Sequence, residues 1–369
     1  MSTTENNSSE VTQTGMKQPT PAPSTIEQRV LKGVGEAMSS DFIGLKSGAR
    51  TPVEETQAVM PSFQRSPHRW AVLLAGGDGT RLQSLTLKIA GDSRPKQFCS
   101  IIGGESLLAQ TRARLEPLFR VDRELFVVTR AHEIYYREEL RDVDDSRIIS
   151  QPLNRGTGVA VAVALLHILR RDPDAVVIFV PCDHYYSDAQ ACGRAIRSAI
   201  LGAEQYPDSV ILVGAKAHYP EVEYGWIELG STISHTPTPL MQVERFWEKP
   251  SLSQAQALLR SGCLWNTFLS VGYASTFLDL VCSEVPGVVF SLGKALAKNE
   301  LEAAYPLMRT VDLSRQVLTP QPHRLLAIPD TTSGWTDLGS PTRVMDILAG
   351  NKIQPPWLRD GHGLSKAAG

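Results

Sequence analysis

Short apolar runs alternate with longer amphipathic stretches from about residue 70 to residue 213, and this alternation predicts an α/β fold. The apolar runs have the length of buried strands, and they occupy residues 71–75, 125–128, 148–149, 175–180 and 210–213. The stretches between them have apolar positions at helical spacing, and they occupy residues 105–119, 133–143, 156–171 and 187–206. Strands and helices that alternate in this way form a mainly parallel sheet covered on both faces.

Two of these helices carry more detailed expectations. Residues 159–169 are almost wholly apolar, which predicts that the helix over 156–171 is buried. Ser187 is the expected N-cap of the next helix, with Asp188 in its first turn. Beyond residue 215 the pattern becomes less regular and more β-like, and a last helix is predicted over about 341–348.

A glycine-rich loop follows the first predicted strand. Gly76, Gly77 and Gly79 let the backbone turn sharply and approach a ligand closely. Successive N–H groups in such a loop can form a concave anion site. Thr80 and Arg81 end the loop, and the guanidinium fork of Arg81 suits phosphate.

A second cation, Lys96, follows in the Pro-Lys-Gln run at 95–97 and is expected to reach the same place. A strand, a glycine loop, an arginine and a lysine together predict a polyphosphate cradle. From the glycines alone, a surface turn with an exposed arginine is an equal alternative. The loop matches neither a Walker motif nor G-x-G-x-x-G, which disfavours a dinucleotide-binding fold. Since both cations are placed on loops, we expect their substitution to leave folding intact.

A second candidate position for chemistry lies directly after the predicted strand at 175–180. Asp183 can hold Mg²⁺ through its carboxylate, with water and substrate phosphates as the other ligands. A turn or helix-capping aspartate is the alternative. His184 is expected to pack or to orient its neighbour. Ligands bind beyond the carboxyl ends of strands in such sheets, so Asp183 and the glycine loop are predicted to meet.

Composition and charge are ordinary for a soluble globular protein, with 42% hydrophobic residues, 21% charged residues and a formal net charge of -2. We expect no nucleic-acid partner, because the net charge implies no general affinity for polyanions. No apolar run approaches the roughly 18 residues that span a membrane. The five cysteines include no C-x-x-C pair, which argues against zinc and disulfides and favours a cytoplasmic location.

The chain is predicted to contain one folded domain, over residues 67–350. Residues 1–66 are expected to be a disordered extension, because the first two dozen are rich in Ser, Thr, Asn, Gln and Pro. Within it, residues 26–45 have the spacing of a short amphipathic helix, which either docks on the core or a partner or frays as a tail. Residues 351–369 are expected to be a C-terminal tail.

The glycine loop and the Pro-Lys-Gln-Phe run at 95–98 resemble the signature of sugar-1-phosphate nucleotidyltransferases, also called pyrophosphorylases. Within that superfamily the run is most similar to that of mannose-1-phosphate guanylyltransferases. The resemblance covers roughly residues 68–348. It implies that residues 67–350 are a catalytic domain with a Rossmann-like, GT-A-like fold. That fold is a mostly parallel mixed sheet flanked by helices, with a β-rich sugar-binding part.

The resemblance assigns the nucleotide to the glycine loop and to residues 151–158. The latter resemble the family pattern E-P-x-x-R-N-T-A-P, which lines the base and ribose. Gln151 stands for the acid and Gly156 for the asparagine of that pattern. The helix that starts here is expected to offer free N–H groups to a ligand. The implied nucleotide-binding residues are Gly76, Gly77, Gly79, Thr80, Asn154, Gly156 and Thr157.

Three later segments imply a site for the sugar phosphate. Residues 223–227, 246–250 and 264–268 resemble the family patterns G-Y-G-Y-I, F-x-E-K-P and W-N-S-G-M-F. A carboxylate accepts from sugar hydroxyls, and a lysine offers a cation to the sugar phosphate, although a strand-end salt bridge is the alternative. Phe268 stands where many relatives have glycine, which predicts a different pocket floor. The implied residues are Tyr224, Gly225, Glu248, Lys249 and Asn266.

The resemblance also completes the metal site and the catalytic pair. Residues 333–340 resemble the family pattern W-x-D-x-G, which makes Asp337 a second metal-binding carboxylate beside Asp183. Oxygen ligands of this kind suit Mg²⁺, with Mn²⁺ as an alternative. Arg81 and Lys96 are the implied catalytic cations.

The implied reaction is the transfer of a nucleotidyl group from an NTP, GTP above all, to a hexose-1-phosphate, mannose-1-phosphate above all. Two alternatives stay open. One is the same chemistry with UTP or dTTP and glucose-1-phosphate. The other is a catalytically silent homologue that binds sugar nucleotides and regulates a partner. The presence of Arg81, Lys96, Asp183, Lys249 and Asp337 favours an enzyme. The sequence leaves the oligomeric state open, with a homodimer as one alternative.

Overall fold

The computed structural model of the chain describes residues 65–234 and 238–359. All of them belong to the second of the two units into which the chain divides, residues 53–369. The expectations for residues 1–64, including the helix over 26–45, lie outside the described residues. None of the helices in the described ranges has the length and apolarity that crossing a membrane requires.

Strands and helices alternate through the first half of the described chain, as predicted. The strands are β1 Arg69–Leu74, β2 Glu124–Thr129, β3 Ile148–Gln151, β4 Val176–Pro181, β5 Tyr185–Tyr186, β6 Val210–Lys216, β7 Gly225–Ser234, β8 Leu240–Glu248, β9 Leu264–Tyr273, β10 Leu325–Asp330 and β11 Trp335–Thr336. The α-helices are α1 Gln83–Ala90, α2 Leu107–Leu115, α3 Glu133–Glu139, α4 Thr157–Leu169, α5 Ala189–Gln205, α6 Leu252–Arg260, α7 Ala274–Glu284, α8 Pro286–Lys298, α9 Leu301–Ala304, α10 Pro341–Gly350 and α11 Pro356–Arg359.

One large mixed sheet organises the described residues, with the strand order β3-β2-β1-β4-β9-β6-β10-β8-β7. Strands β1 to β4 pair in parallel, and so do β6 and β10. β9 lies between β4 and β6 and runs antiparallel to both, and β8 runs antiparallel to its neighbours β10 and β7. The predicted mostly parallel mixed sheet with a β-rich second half is therefore confirmed.

The core lies on both faces of this sheet, because successive residues of a buried strand point to opposite sides. On β1, Val72 packs in a cluster with α4, α7 and α8, while Leu73 packs in a second cluster with α2 and α5. Helix α4 is buried along its apolar centre, as its sequence predicts.

The start of α5 corrects one detail of the sequence analysis. The N-cap is Asp188, whose side chain accepts a hydrogen bond from the Ala191 N–H at 2.8 Å. Ser187 lies one residue earlier, and its hydroxyl donates to the Ser333 carbonyl. Both residue types are good caps, and the contact with the distant Ser333 decides between them.

Residues 353–358, in the segment expected to be a tail, pack on the domain. The Trp357 indole N–H donates to the Ile101 carbonyl at 2.9 Å, and Pro355 lies against Gly103. Ile353, Trp357 and Leu358 extend a small apolar cluster that contains Leu82 and Leu338. The described part of the domain thus reaches beyond residue 350.

Candidate active site

The glycine loop and the segment after β4 meet at one edge of the sheet, as the parallel arrangement predicts. β1 and β4 are adjacent, with Leu74 opposite Pro181, and the Cys182 N–H donates to the Leu74 carbonyl at 3.1 Å. The side-chain amide of Gln97 fixes the glycine loop, because it donates hydrogen bonds to the Ala75 carbonyl at 2.9 Å and to the Gly77 carbonyl at 2.8 Å.

Lys96 lies inside this edge and not on its surface. It is 7% exposed and begins the 3₁₀ turn Lys96–Phe98. Its ammonium lies 3.3 Å from Asp183 Oδ2 and donates to the Asp337 carbonyl at 2.5 Å. The expectation that Lys96 serves only a loop is therefore wrong, because an ion pair with the partly exposed Asp183 also ties this buried lysine to the fold.

A small two-stranded sheet brings the two predicted metal carboxylates together. β5 pairs antiparallel with β11, so that Thr336 lies opposite Tyr185. Asp183 precedes β5 and Asp337 follows β11, which places both beside Lys96. Burial raises the pKa of each carboxyl, but other groups outweigh it and hold both pKa values below the ordinary range. For Asp183 the main one is the Lys96 ammonium, and for Asp337 they are the Tyr224 hydroxyl and the Arg343 guanidinium. Both aspartates are thus ionised near neutral pH.

A cavity of about 170 Å³ lies beside these groups and has the lining expected of a phosphate site. Gly79, Thr80 and Arg81 form one wall, and Lys96 and Asp183 form another. Gly79 has a φ of +60°, and a Cβ there would lie 3.1 Å from the Lys96 backbone nitrogen. The Arg81 side chain is 60% exposed, and its guanidinium lies 3.9 Å from Asp337 Oδ2 and 3.8 Å from Glu223 Oε2. It is therefore free to turn towards an anion.

A larger cavity of about 420 Å³ adjoins the first, since Asp183 lines both. It collects the remaining residues predicted for the nucleotide. These are Gly76, Gly77, Asn154, Gly156 and Thr157, and Gln151, Phe268, Thr310 and Asp312 also line it.

The N–H groups at the start of α4 were expected to be free for a ligand, but two of them are already hydrogen-bonded within the protein. The Gly158 N–H donates to the Val311 carbonyl at 2.9 Å, and the Gly156 N–H donates to Asn154 Oδ1 at 3.0 Å. The Thr157 hydroxyl accepts from the Leu313 N–H. The chain around residues 310–313 thus satisfies groups that a ligand would otherwise use.

The residues predicted for the sugar phosphate fall into two places. Gly225 lies against Glu248 and Asn266, since a Cβ on Gly225 would come 2.9 Å from Glu248 Oε2 and 3.2 Å from Asn266 Cβ. The Lys249 N–H donates to the Tyr224 carbonyl, and Lys249 has a φ of +50°.

The side chain of Tyr224 contacts a different part of the site. Its hydroxyl donates to Asp337 Oδ1 at 2.6 Å, and its ring lines a third cavity of about 390 Å³ with Trp265 and Trp335. The Tyr224 hydroxyl therefore supports the carboxylate of Asp337.

Phe268 has an unusual backbone conformation for a bulky residue, with a φ of +65°. Such a conformation costs on the order of 1–3 kcal/mol. The Phe268 N–H donates to Asn266 Oδ1 at 3.1 Å, and the ring packs against the apolar cluster that contains Val72. The ring also lines the larger cavity.

The pKa of Glu248 is shifted well above its ordinary value. Burial, helped by the nearby Asp312 carboxylate, raises its pKa to about 7, against the opposing charges of Lys249 and Arg315. The folded state therefore holds a proton that the unfolded chain releases at its ordinary value of 4.5.

We expect Glu248→Gln to change the pH dependence of stability. Because the pKa is raised on folding, the wild-type contribution from this group is fully present below about pH 4.5 and is lost as the pH rises towards about 7. The difference in melting temperature between Glu248→Gln and the wild type should therefore shift in favour of the variant as the pH rises from 5 to 8. Thermal denaturation of both proteins without ligands measures this, and parallel pH profiles would contradict it.

His184 is held as a neutral ring. Burial lowers its pKa, its Nδ1 accepts from the Trp335 indole N–H at 3.1 Å, and its Nε2 lies 3.6 Å from Asp183 Oδ1. In the described part of the chain, no group of three or more His, Cys, Asp or Glu residues is arranged to hold a metal ion. A metal here would need oxygens from a substrate in addition to two carboxylates.

Arg343 and Glu221 belong to the site but were not predicted. Arg343 pairs with both Asp337 and Glu221, and its guanidinium lies 4.9 Å from the centre of the Tyr224 ring. The available signal was local, because Arg343 falls in the first turn of the helix capped by Ser340, six residues beyond Asp337.

The fold and the site define a class of α/β protein in which a buried lysine and two carboxylates lie beside a cavity at the carboxyl ends of parallel strands. Residues 70–351 match the family described as Nucleotidyl transferase. The chain belongs to this family.

Similar proteins have related names. The chain is 30% identical over 288 residues to the xanthan biosynthesis protein XanB of Xanthomonas campestris pv. campestris, covering 75% of this chain and 58% of that protein. It is 32% identical over 223 residues to a mannose-1-phosphate guanylyltransferase of Escherichia coli, covering 59% and 45% respectively. The chain thus spans about half the length of these relatives.

A solved structure from Thermus thermophilus, titled mannose-1-phosphate geranyltransferase, superposes with a TM-score of 0.67 at 28% identity. The match covers 78% of this chain and 80% of that one.

Proposed function

We propose that this protein transfers a nucleotidyl group from an NTP to a sugar-1-phosphate, with GTP and mannose-1-phosphate as the preferred substrates. The observation that carries the proposal is the meeting of Lys96, Asp183, Asp337 and Arg81 where a phosphate-sized cavity joins a nucleotide-sized one. Family membership supports it further.

In this reaction an oxygen of the sugar-1-phosphate attacks the α-phosphorus of the NTP. A new O–P bond forms, the bond to the bridging α–β oxygen breaks, and pyrophosphate leaves with that electron pair. The attacking phosphate is already ionised at neutral pH, so no general base is required. Catalysis then depends on positioning and on stabilising negative charge.

The cations have separate roles in this proposal. Arg81, exposed at the mouth of the smaller cavity, receives the β- and γ-phosphates that become pyrophosphate. Lys96 stays beside the α-phosphate, where its buried ammonium stabilises the charge that builds up during transfer. Lys249 binds the phosphate of the sugar substrate.

The carboxylates fit a divalent cation such as Mg²⁺ or Mn²⁺. Asp183 Oδ1 and Asp337 Oδ2 each receive no hydrogen bond from any described residue, and both carboxyls are ionised. Mg²⁺ is commonly held by one or two carboxylates together with substrate phosphates. When bound, it would neutralise phosphate charge and orient the two substrates.

The choice of GTP and mannose-1-phosphate is supported by Pro-Lys-Gln-Phe at 95–98 and by the names of the relatives. Guanine offers donors at N1 and N2 and an acceptor at O6. A site built for these groups should reject adenine, which would leave buried polar groups unpaired.

A substrate competition tests the proposal. Pyrophosphate release is measured with GTP, ATP, UTP and dTTP, each with mannose-1-phosphate and with glucose-1-phosphate. We expect GTP with mannose-1-phosphate to exceed ATP by roughly 10²-fold or more in kcat/KM, and excess EDTA to abolish turnover. A preference for UTP or dTTP with glucose-1-phosphate would overturn the substrate assignment, and no release with any pair would overturn the reaction.

A further inference from the structure

The carboxylate of Asp337 is held in one orientation by donors that all address the same oxygen. Oδ1 accepts from the Tyr224 hydroxyl at 2.6 Å, from the Gly339 N–H at 2.8 Å and from the Arg343 guanidinium. Among the described residues, none donates a hydrogen bond to Oδ2. That second oxygen faces Arg81 at 3.9 Å. Oδ2 therefore lies on the side of Arg81, which lines the phosphate cavity.

Arg343 is itself fixed from several sides. It lies in the first turn of α10, and its backbone N–H donates a hydrogen bond to the hydroxyl of Ser340, the N-cap of this helix. One guanidinium nitrogen pairs with Asp337 and the other with Glu221, while the plane lies over the Tyr224 ring. The side chains of Arg343, Asp337 and Glu221 are only 18%, 12% and 11% exposed.

A guanidinium that bridges two nearly buried carboxylates sets a geometry as well as a charge, because its donors form a rigid fork. Groups that hold a metal-binding side chain by hydrogen bonds orient it and tune its affinity. We propose that Arg343 is a positioning residue that, braced by Glu221, fixes Asp337 so that Oδ2 is presented to the bound cation. The inference rests on the proposed function, because it deepens the role given there to Asp337.

A purely structural role is the competing explanation, since the same contacts join α10 to the loop before β7. Arg343→Lys separates the two, because lysine keeps the positive charge and loses the fork. If Arg343 acts only through charge or packing, lysine should largely replace it. If Arg343 fixes the orientation of Asp337, lysine should fail.

The chain offers a matched control in Arg112 on α2. Its guanidinium also pairs with two carboxylates, those of Asp142 and Glu124, and lies 5.4 Å from the centre of the Phe126 ring. Its side chain is 21% exposed, close to the value for Arg343. Arg112→Lys therefore imposes a similar structural change outside the proposed site.

The test measures Mn²⁺ binding to the full chain by electron paramagnetic resonance, with pyrophosphate present, together with kcat, the KM for GTP and the melting temperature. We expect Arg343→Lys to weaken Mn²⁺ binding and to lower kcat by about tenfold each, with little change in KM. Arg112→Lys should change only the melting temperature. Glu221→Gln loosens the brace from its outer end and should shift Mn²⁺ binding in the same direction by a smaller factor.

The outcomes keep the two proposals apart. Wild-type Mn²⁺ affinity and kcat in Arg343→Lys, with a melting temperature lowered as in Arg112→Lys, would overturn the positioning role. If Arg343→Lys does not fold, unchanged Mn²⁺ binding in Glu221→Gln would do so. A wild-type chain that binds Mn²⁺ but transfers no nucleotide refutes the proposed reaction alone. A wild-type chain that binds no Mn²⁺ overturns the inference itself.

Discussion

Replacing Lys96 by methionine is expected to lower kcat by at least about 10²-fold, the usual effect of removing a charge-stabilising donor from a preorganised site. The same change should lower thermal stability, because Asp183 loses the ammonium 3.3 Å away. The Asp183 side chain is 29% exposed, so the loss should fall below the roughly 3–5 kcal/mol of a fully buried broken pair. Steady-state kinetics and thermal denaturation measure the two effects.

A second substitution separates these effects. In the double variant Lys96→Met/Asp183→Asn the unpaired charge is gone, so the melting temperature should return towards that of the wild type while kcat stays low. Lys88→Met, which removes an exposed lysine on α1, is the control and should change neither quantity. Near-normal turnover in Lys96→Met would remove the assignment of Lys96 to the α-phosphate.

The centre of the site was predictable because it depends on local rules. A glycine loop after one parallel strand and an aspartate after the neighbouring strand must reach the same edge of the sheet. Asp183 and the loop after Leu74 meet there. The alternation that predicts the sheet also predicts the burial of α4, since both follow from the periodicity of apolar residues.

The support around that centre was not predictable, because it joins residues distant in sequence. Tyr224 and Asp337 are 113 positions apart, and Glu221 and Arg343 are 122 apart. Neither pair follows from periodicity or turn chemistry. Lys96 was misjudged for the same reason, since a lysine in a loop is normally exposed and its burial comes from two partners on other segments.

The second large effect is expected at Gly156, which lines the larger cavity proposed for the nucleotide. Gly156 has a φ of +83° and a ψ of 169°, a region that only glycine commonly occupies. A Cβ at this position would lie 2.4 Å from the Val311 carbonyl oxygen. That carbonyl accepts the Gly158 N–H, and the Val311 N–H donates to the Arg155 carbonyl. Any side chain at position 156 must therefore displace Val311 and the residues next to it.

Gly156→Ala should accordingly destabilise the protein by about 3 kcal/mol, the upper end for such backbone strain. This corresponds to a fall in melting temperature on the order of 5–10 °C. The KM for GTP should also rise, because Thr310 and Asp312 line the larger cavity beside Gly156 and would move with Val311. Thermal denaturation and steady-state kinetics measure the two changes.

Gly193→Ala is the matched control for this glycine. Gly193 lies in α5, and apart from its chain neighbours and the backbone of its own helix no described atom comes within 4 Å of a Cβ placed there. Alanine favours a helix over glycine by roughly 0.5–1 kcal/mol, so the melting temperature should stay the same or rise. Gly156→Asn introduces the residue of the family pattern, and we expect it to be as harmful as alanine, because asparagine tolerates left-handed helical angles but not a ψ near 170°. A neutral Gly156→Asn would contradict the strict need for glycine that the backbone angles and the Val311 contact imply at this position.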